Sequence, residues 1–459
     1  MSISNSRANS DNKSVHGKIM VVGGGIGGIQ CALDLADTGF EVVLLDNSPT
    51  LGGTMAQLDK TFPTNDCSTC MFSPKLVEAA GHRNIEIMTN SFLLNLEGQP
   101  GKFKAEIKRM PRYINTEKCI ACGQCAEKCP KKVPDAFNGE LGMRKAAYLP
   151  FPQAVPLKYA LDPENCLFLK RGRCGLCRKI CPVGAVEFDQ EPETDEIEIG
   201  ALVLSSGFEL ALTREHGEYG FGRYPNVVTS LQYERMLSAT GPHGGHPKRP
   251  SDGRPPERVA WIQCVMSRDD SRNRPFCSSV CCMHAAKQAI ITKTHMPESH
   301  AVIYFMDIRA QGKGFDDYIE RAEKQYRIEY RRSMISQVSV NPENDNLVIE
   351  TFNPERHQKI EEEYDLVVLS SGMKTTRAFQ DMADRLNIEL DQWGFVKTDF
   401  SSPVSTSRPG VYVCGAVESP KDIPETVIQA GAAAAEASKL LAGARKPEQP
   451  DIKFPEIGN

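Results

Sequence analysis

Two runs of closely spaced cysteines constrain this sequence more than any other feature. The first run has the spacing C-x2-C-x2-C-x3-C-P and the second the looser spacing C-x7-C-x2-C-x3-C-P. In two-cluster ferredoxins the fourth cysteine of each run binds the cluster of the other run. We therefore predict an inserted domain with two [4Fe-4S] clusters, because Cys-Pro endings and interlocked runs are not typical of zinc sites. The first cysteine set is Cys119, Cys122, Cys125 and Cys181, and the second set is Cys166, Cys174, Cys177 and Cys129.

The composition agrees with this use of cysteine. The chain has 459 residues, and its 16 cysteines fall in tight groups. A chain of this length can bury a core without disulfides. The formal net charge of −5 provides no basic footprint for nucleic acid. Residues 1–17 are polar and no apolar run is long enough to span a membrane, so we expect a cytoplasmic protein in a reducing compartment.

A β-α-β unit with a glycine-rich turn predicts a dinucleotide site near the N-terminus. An apolar strand at 19–22 leads into GGGIGG, a helical pattern follows, and the next strand ends at Asp46. Gly23 permits the tight turn, Gly25 lets the backbone approach a pyrophosphate, and Gly28 allows the helix to pack closely on the strand. Asp46 lies where a carboxylate binds a ribose hydroxyl.

FAD is favoured over NAD as this dinucleotide. The position of the turn, the pair Gly52 and Gly53 after the second strand, and a late strand that enters Gly415 resemble flavoproteins with two dinucleotide-binding domains, such as thioredoxin reductases. In that superfamily the late motif ends in Gly-Asp and the Asp meets the ribityl chain, whereas here Ala416 follows the glycine. We expect the turn that ends in Asp422, or the helix that starts there, to hold that end of FAD.

The second α/β half has no glycine turn. Its first strand, at 259–263, runs directly into Cys-Val-Met-Ser at 264–267, so the backbone cannot approach a pyrophosphate there. We predict that this half binds no nicotinamide cofactor, the alternative being a degenerate loop that still does. A strand followed by Ser-Ser-Gly occurs in both halves, at 205–207 and 370–372, which indicates that the halves are related.

A third group of cysteines in the second half has several interpretations. The group could hold a third [4Fe-4S] cluster, form a redox dithiol, or consist of buried free thiols. Cys277 and Cys281 are four residues apart and share a face if that stretch is helical. The members of this third cysteine set are Cys264, Cys277, Cys281 and Cys282.

The other four cysteines have weaker signals. Cys67 and Cys70 form a C-x-x-C motif, which is either a dithiol near the flavin or a structural pair. Cys31 lies in the apolar helix after the glycine turn and is expected to pack in the core, as is Cys414.

Together these motifs predict an α/β fold. It is a thioredoxin-reductase-like flavoprotein with two dinucleotide-type domains and an inserted two-cluster ferredoxin (α+β) domain. The Gly- and Pro-rich linker at 240–257 is expected to be exposed. The chain is predicted to divide into a disordered N-terminus at 1–17, a first FAD-binding segment at 18–111, the ferredoxin insert at 112–194, a second FAD-binding segment with the linker at 195–255, a second Rossmann-like domain without an NAD(P) fingerprint at 256–394, a third FAD-binding segment at 395–445, and a tail at 446–459.

Longer phrases resemble one family over nearly the whole ordered chain. GGTMAQLDKTFPTNDCSTC, IQCVMSRDD, CSSVCCMHAAKQA and SPKDIPETVIQAGAAAA are similar to the A-type subunits of heterodisulfide reductases and to the related A-type subunits of quinone-interacting oxidoreductase complexes. The resemblance implies FAD, the ferredoxin insert and a cluster on the third cysteine set. It also implies that Lys287 and Glu234 lie close to the flavin ring, where the lysine would interact with the N5 region and the carboxylate would take part in protonation. The alternative is that both are ordinary surface charges.

The function implied by the resemblance is electron transfer in a heterodisulfide-reductase-like complex. Two electrons would be exchanged at FAD and pass singly along the clusters, in a mode that includes flavin-based bifurcation or confurcation. The rival function is an NAD(P)H-dependent flavoprotein disulfide reductase with a C-x-x-C or Cys-Cys dithiol, against which the missing second glycine turn argues. A non-catalytic electron relay is a third interpretation.

The long methanogenic form of this subunit differs from the chain at both ends. The glycine turn starts at Gly23 and no cysteine follows Cys414, so we expect a short form without an N-terminal extension or C-terminal ferredoxin domain. The expected partners are therefore the other subunits of such a complex, among them a protein that donates or accepts electrons. Any association with a membrane would be made through those subunits.

Overall fold

The computed structural model describes residues 15–353 and 357–444. Most of the predicted disordered N-terminus and all of the predicted tail lie outside these residues. The strands are β1 Lys18–Val22, β2 Glu41–Leu45, β3 Ile85–Met88, β4 Ser91–Gln99, β5 Lys102–Arg109, β6 Lys132–Pro134, β7 Met143–Lys145, β8 Ala147–Tyr148, β9 Ala160–Leu161, β10 Glu193–Ile199, β11 Ala201–Leu204, β12 Glu209–Leu210, β13 Val227–Thr229, β14 Arg258–Val265, β15 His300–Phe305, β16 Glu329–Arg332, β17 Ile335–Val340, β18 Leu347–Asn353, β19 Gln358–Tyr364, β20 Leu366–Ser371, β21 Met373–Lys374 and β22 Val411–Val413.

The helices are distributed over both halves and the insert. Short 3-10 turns add to them at Thr54–Gln57, Ala136–Asn138, Arg214–His216, Glu218–Gly220, Asp270–Arg272 and Ala442–Ala444. None of the described helices is long and apolar enough to cross a membrane. The α-helices are α1 Ile26–Asp37, α2 Ser68–Gly81, α3 Gln124–Glu127, α4 Leu167–Arg171, α5 Leu176–Ile180, α6 Ser230–Leu237, α7 Cys281–His295, α8 Phe315–Lys324, α9 Arg377–Arg385 and α10 Ile423–Leu440.

The first half is built on a five-stranded parallel sheet in the order β22-β11-β1-β2-β3. The near-continuous apolar sequences of β1 and β2 fit a parallel sheet that is covered on both faces. Helices α1 and α10 pack on one face. The antiparallel sheet β10-β5-β4 and helix α9 cover the other face.

The second half repeats this arrangement. Its parallel sheet has the order β13-β20-β14-β15-β16, with α6, α7 and α8 on one face and the antiparallel sheet β17-β18-β19 on the other. Strands β11 and β20, which lead into the two Ser-Ser-Gly phrases, each lie beside the first long strand of their sheet. The predicted relation between the halves therefore extends to their strand order.

The limits of the second half differ from the predicted 256–394. Strand β13 pairs with β20, and α6 packs in the core of the second half, so this half begins at β13. Helix α9 packs instead in the core of the first half. Both elements are short and adjoin the other half in sequence, so only long-range packing assigns them.

The segment 240–257 is not an exposed linker throughout. Arg249 is only 4% exposed, and its Nη1 donates to Asp365 Oδ1 at 3.0 Å and to Asn346 Oδ1 at 2.7 Å. Its Nη2 donates to the carbonyl oxygen of Asn344 at 2.7 Å. The prediction is wrong at this point because a buried, paired guanidinium fixes the segment to the second half.

The insert leaves and re-enters the first half through adjacent strands. β5 and β10 are antiparallel neighbours, and Arg109 is opposite Glu193 at their ends. Between them lie α3, α4, α5 and the strand pairs β6-β7 and β8-β9 around a small core of its own. The Nη2 of Arg112 fixes the insert by donating to the carbonyl oxygen of Pro49 and to Thr89 Oγ1.

Candidate cofactor and cluster sites

A cavity of about 550 Å³ lies between the two halves and the insert. Residues that follow β1, β2, β11, β20 and β22 line it, so it lies at the carboxyl edges of both parallel sheets, where α/β proteins bind ligands. Of the residues predicted to bind the cofactor, only Gly28 is absent from the wall. The wall includes Gly23, Gly25, Asp46, Gly53, Gly415 and Asp422 of the first half, Ser370, Cys281, His284 and Lys287 of the second, and Phe137, Tyr148 and Phe151 of the insert.

The glycine turn has the close approaches that its predicted roles require. Gly23 has a φ of +113°, and a Cβ placed there would lie 2.2 Å from the carbonyl oxygen of Ser205. A Cβ on Gly28 would lie 1.8 Å from the carbonyl oxygen of Gly23, which fits a packing role. A Cβ on Gly25 would meet only the Cα of Gly53, at 3.9 Å, so this section of the turn is open to the cavity.

Asp46 is fixed at the edge of the same cavity by the backbone. Its Oδ2 accepts a hydrogen bond from the amide of Gly24 at 2.6 Å, and its Oδ1 accepts one from the amide of Ser48 at 2.7 Å. Burial raises the pKa of this carboxyl, and the two backbone hydrogen bonds oppose that rise. The remaining lone pairs can accept from a ribose hydroxyl.

The far end of the cavity is closed by the start of α10. Asp422 caps this helix, since its Oδ1 accepts from the amide of Glu425 at 2.8 Å. The amide of Gly415 donates to Gln429 Oε1 at 2.8 Å, and the Nζ of Lys421 donates to the carbonyl oxygen of Gly415 at 3.1 Å. Gln429 and Lys421 thus support the late turn. Lys421 belongs to the turn that the sequence predicted to hold this end of FAD, whereas sequence reasoning assigned Gln429 no role.

Unpartnered polar atoms beside the cavity fit a polar cofactor. The hydroxyl of Ser370, which lines the cavity, is buried without a hydrogen-bond partner among the described residues, and so are both amide atoms of Gln263 on the neighbouring strand β14. A buried polar group without a partner is unfavourable unless a bound molecule supplies one. With the open face at Gly25 and the carboxylate of Asp46, the wall suits a dinucleotide with a polar ring system.

A buried ion pair between Lys287 and Glu234 supports the part of the cavity wall that the second half forms. Lys287 is 1% exposed and Glu234 is fully buried, so the alternative that they are ordinary surface charges is wrong. The Nζ of Lys287 donates to Glu234 Oε1 at 2.6 Å and to the carbonyl oxygen of Lys60 at 2.8 Å. Gln288 Nε2 donates to the same carboxylate oxygen at 2.7 Å. Lys287 lines the cavity, whereas Glu234 does not line it and reaches it through Lys287 and His284.

The pKa values of two carboxyl groups in this network are shifted in opposite directions. Burial by itself raises the pKa of Glu234, but Lys287 and His284 outweigh it and hold that pKa well below its usual value. Burial, together with the charge of Glu234, raises the pKa of Asp59 to about 6. The amide of Asp59 donates to Glu234 Oε2 at 2.9 Å, and its own buried Oδ2 has no partner among the described residues.

Sequence reasoning missed Asp59, His284 and Gln288. Helical spacing on α7 is a signal for two of them, because His284 follows Cys281 by three residues and Gln288 follows His284 by four. His284 Nε2 lies 2.8 Å from Glu234 Oε1. Asp59 reaches the network through a long-range contact that no local pattern indicates.

The insert brings its cysteines together in the predicted interlocked combination. One small cavity is lined by all four members of the first set, including Cys181 from the second run, and a separate one by all four members of the second set, including Cys129 from the first run. Burial raises the pKa of Cys125 to about 12 and that of Cys177 to about 11, and neighbouring cysteines add to both shifts.

The third set also converges. Burial raises the pKa of Cys281 well above its usual value, and Cys282, Cys264 and Cys277 add to the shift. Cys277 precedes α7, so it does not share a helical face with Cys281, and that condition of the prediction is not met. A left-handed backbone at Cys264, with φ of +62°, turns the chain here instead. Because Cys281 also lines the large cavity, the set and the cavity share a wall.

The cysteine sets do not have the geometry of single-ion sites. Over residues 15–353 and 357–444, no group of three or more His, Cys, Asp or Glu side chains is arranged to hold one metal ion. Each thiolate of a [4Fe-4S] cubane binds its own iron atom, so cubane ligands do not converge on a single point.

The four remaining cysteines do not line the cavity. The Sγ of Cys67 accepts from the amide of Cys70 at 3.2 Å at the start of α2, and Cys70 is exposed. Cys31 and Cys414 are buried in the core of the first half, which confirms the expectation for this pair.

Comparison with family models identifies three regions. Residues 21–74 match an NAD(P)-binding Rossmann-like domain, and residues 281–434 match the pyridine nucleotide-disulphide oxidoreductase model. Residues 112–135 match a 4Fe-4S binding domain, which covers the first cysteine run.

Curated relatives align along nearly the whole chain. The chain is 45% identical over 95% of its length to the second iron-sulfur A-type subunit of CoB--CoM heterodisulfide reductase from Methanopyrus kandleri. It is 42% identical over 93% of its length to the A-type subunit of H(2):CoB-CoM heterodisulfide,ferredoxin reductase from Methanothermobacter marburgensis. The chain belongs to the family of heterodisulfide reductase A-type subunits. It spans 66% and 64% of the length of these two family members.

Solved structures agree with the fold of this family member. Thioredoxin reductase of T. acidophilum superimposes with a TM-score of 0.51 at 14% identity, covering 92% of this chain and 98% of that one. Thioredoxin reductase of Lactococcus lactis gives the same score and identity, with coverage of 93% and 99%. Together with the family models, these matches confirm the predicted α/β fold with two dinucleotide-type domains and a 4Fe-4S insert.

Proposed function

We propose that the chain is the FAD and iron-sulfur electron-transfer subunit of a heterodisulfide-reductase-like complex. It would exchange two electrons at FAD and pass single electrons along [4Fe-4S] clusters. The observation that carries this proposal is that Cys281 belongs both to the third cysteine set and to the cavity wall. A cluster on that set would border the flavin, and the names of the relatives support an oxidoreductase subunit of this kind.

Residues of the first half would hold FAD. The open backbone at Gly25 and Gly53 would receive the pyrophosphate, Asp46 the ribose, and the turn from Gly415 to Asp422 the other end. When bound, FAD supplies the exchange between two-electron and one-electron chemistry. The second half keeps cysteines where a glycine turn would bind NAD(P), which argues against direct reduction by a nicotinamide.

Lys287 and Glu234 would act at the cavity wall. The carboxylate of Glu234 holds the Lys287 Nζ in place, so Glu234 is a positioning residue. An ammonium group on the wall stabilises negative charge that develops next to it and can donate a proton from Nζ.

Three clusters would provide two branches for single electrons. The first and second sets would form one branch through the insert, and the third set the other, which is the minimum that flavin-based bifurcation or confurcation requires. The partners would be the other subunits of the complex, including an electron donor or acceptor, with any membrane contact made through them.

Cofactor analysis of anaerobically purified protein tests this proposal. We expect FAD and about twelve iron and twelve sulfide per chain, if three cubanes are bound. The double variant Cys264→Ser, Cys281→Ser should retain FAD and about eight irons, whereas Cys67→Ser, Cys70→Ser should retain all of them. About eight irons in the unmodified protein would eliminate the third cluster. Rapid bleaching of the flavin by NADPH in stopped flow would instead favour a nicotinamide-dependent disulfide reductase.

A further inference from the structure

The two cysteine sets of the insert differ in what surrounds them at the protein surface. In the second set, Cys174 is exposed in the short turn between α4 and α5. Four exposed cationic residues flank it, none of which forms an ion pair within the described residues of the chain. These residues, called the basic loop below, are Lys170, Arg171, Arg173 and Lys179.

Other cations near the second set already have partners or lie further inside. Arg178 is 3.7 Å from Asp189 Oδ1 and lies over the ring of Phe188 at 4.6 Å. Lys131 lines the small cavity of the second set and can offset the negative charge of a cluster there. The basic loop is therefore left for a charge outside the molecule.

Among the described residues, the first set is not surrounded by a comparable group of unpaired, exposed cations. Ile120 is 63% exposed and Val183 is 38% exposed beside its cysteines. Among the charged side chains nearby, Lys118 is paired with Glu187 at 2.9 Å. The unpaired positive charge thus gathers around Cys174 of the second set, and it stands out in a chain whose formal net charge is −5.

We propose that an acidic one-electron carrier protein docks on the basic loop. This proposal rests on the proposed function, since it requires a cluster on the second cysteine set. In the transfer, the reduced carrier loses one electron and that cluster gains it, or the reverse, and no bond or proton changes place. Unpaired surface cations around a redox centre attract an acidic partner and raise the association rate about 10- to 1000-fold.

An anionic membrane is the other macromolecular surface that such cations attract. The observations favour a redox carrier, because the cations surround an exposed cluster ligand and Leu176 between them is 38% exposed, which gives a small apolar contact at the centre. This composition, apolar at the centre and charged at the rim, is typical of protein interfaces.

The test is stopped-flow electron transfer from a reduced, acidic [2Fe-2S] carrier protein to the oxidised holoprotein. The variant neutralises three cations of the loop as Lys170→Gln, Arg171→Gln and Arg173→Gln. The control removes the same total charge elsewhere, as Lys324→Gln, Arg377→Gln and Lys439→Gln, at side chains that are at least 71% exposed. Photoreduction by an uncharged deazaflavin, and iron content, check that the clusters are intact.

At low ionic strength we expect the second-order rate constant of the loop variant to fall at least about tenfold, and that of the control less than about twofold. The difference should vanish near about 0.5 M salt, where surface charges are screened. Equal rates in the two variants would overturn the docking proposal. A different result would assign the loop to a membrane: the unmodified protein binds anionic vesicles, the loop variant does not, and both accept electrons from the carrier at the same rate. An unmodified protein whose clusters take up no electrons from either reductant would overturn the proposed function itself.

Discussion

The two α/β halves share a framework and differ where the first long strand of each ends. Each has a five-stranded parallel sheet, helices on one face and a three-stranded antiparallel sheet on the other. In the first half β1 leads through a glycine turn into α1, with one side of the turn open to the cavity. In the second half Cys264 lies near the end of β14, Cys277 lies in the loop that follows, and α7 begins at Cys281. The same topological position thus offers bare backbone in one half and thiols in the other.

The comparison shows how one framework can present two kinds of candidate binding site. A turn without side chains allows a pyrophosphate to approach backbone amides and the helix start. Four thiols, on the end of β14, the following loop and the start of α7, instead offer ligands for iron. Gly25 and Cys281 line the same cavity, so the open backbone and the thiols lie next to each other.

The largest expected effect comes from adding a side chain to the open turn. Gly25→Val should reduce bound FAD at least about tenfold, because its side chain would occupy the space for the pyrophosphate. Gly25 has a φ of −80°, so valine introduces no left-handed strain and the fold should persist. FAD released by heat and circular dichroism measure the two outcomes. Gly81→Ala, in α2 with free space around its Cβ position, is the control. Retention of FAD in Gly25→Val would contradict the assignment of the first half.

The next effect concerns the ion pair that the second half presents to the cavity. Glu234→Gln should lower the free energy of unfolding by about 3 kcal/mol at pH 7, since it leaves Lys287 buried without its counter-charge. Because the folded pKa of Glu234 is lowered, its contribution is present above the unfolded pKa of about 4.3 and is lost as the pH falls towards the folded value.

Urea unfolding followed by the fluorescence of buried Trp261, in a Trp393→Phe background, measures this effect. As the pH falls from 7 to 4, the free energy of unfolding should decrease less in the variant than in wild type. Equal stability of wild type and Glu234→Gln from pH 7 to pH 4 would show that the ion pair contributes nothing to the second half.

The smallest effect has the opposite sign and belongs to the first half. Burial raises the folded pKa of Asp59 to about 6, so its favourable contribution is present below the unfolded pKa of about 3.9 and lost as the pH rises through 6. Asp59→Asn should therefore raise the free energy of unfolding by about 1 to 2 kcal/mol at pH 8 and change it little near pH 4. The same unfolding assay at the two pH values measures it. A destabilised variant at pH 8 would mean that the carboxylate has a partner that stabilises its charge.

Sequence patterns predicted the chemistry of each half better than its limits. The strand and helix around the glycine turn and the strand before Cys264 were predicted closely, because apolar runs and glycine spacing are local signals. The limits at 256 and 394 and the exposed linker were not, because β13, α9 and Arg249 are fixed by partners far away in the chain. Asp59 was missed for the same reason.

By itself the sequence determined which residues are able to bind iron-sulfur clusters and which are able to bind a dinucleotide. Cysteine spacing, glycine spacing and Asp46 depend only on covalent order, and they predicted the interlocked sets and the dinucleotide turn. The tertiary structure decided the adjacencies. It brought Cys281 to the cavity wall, buried Glu234 against Lys287, and left the basic loop at the surface. These arrangements follow from the packing of distant segments, and the burial and charge around each group are set only when that packing is complete.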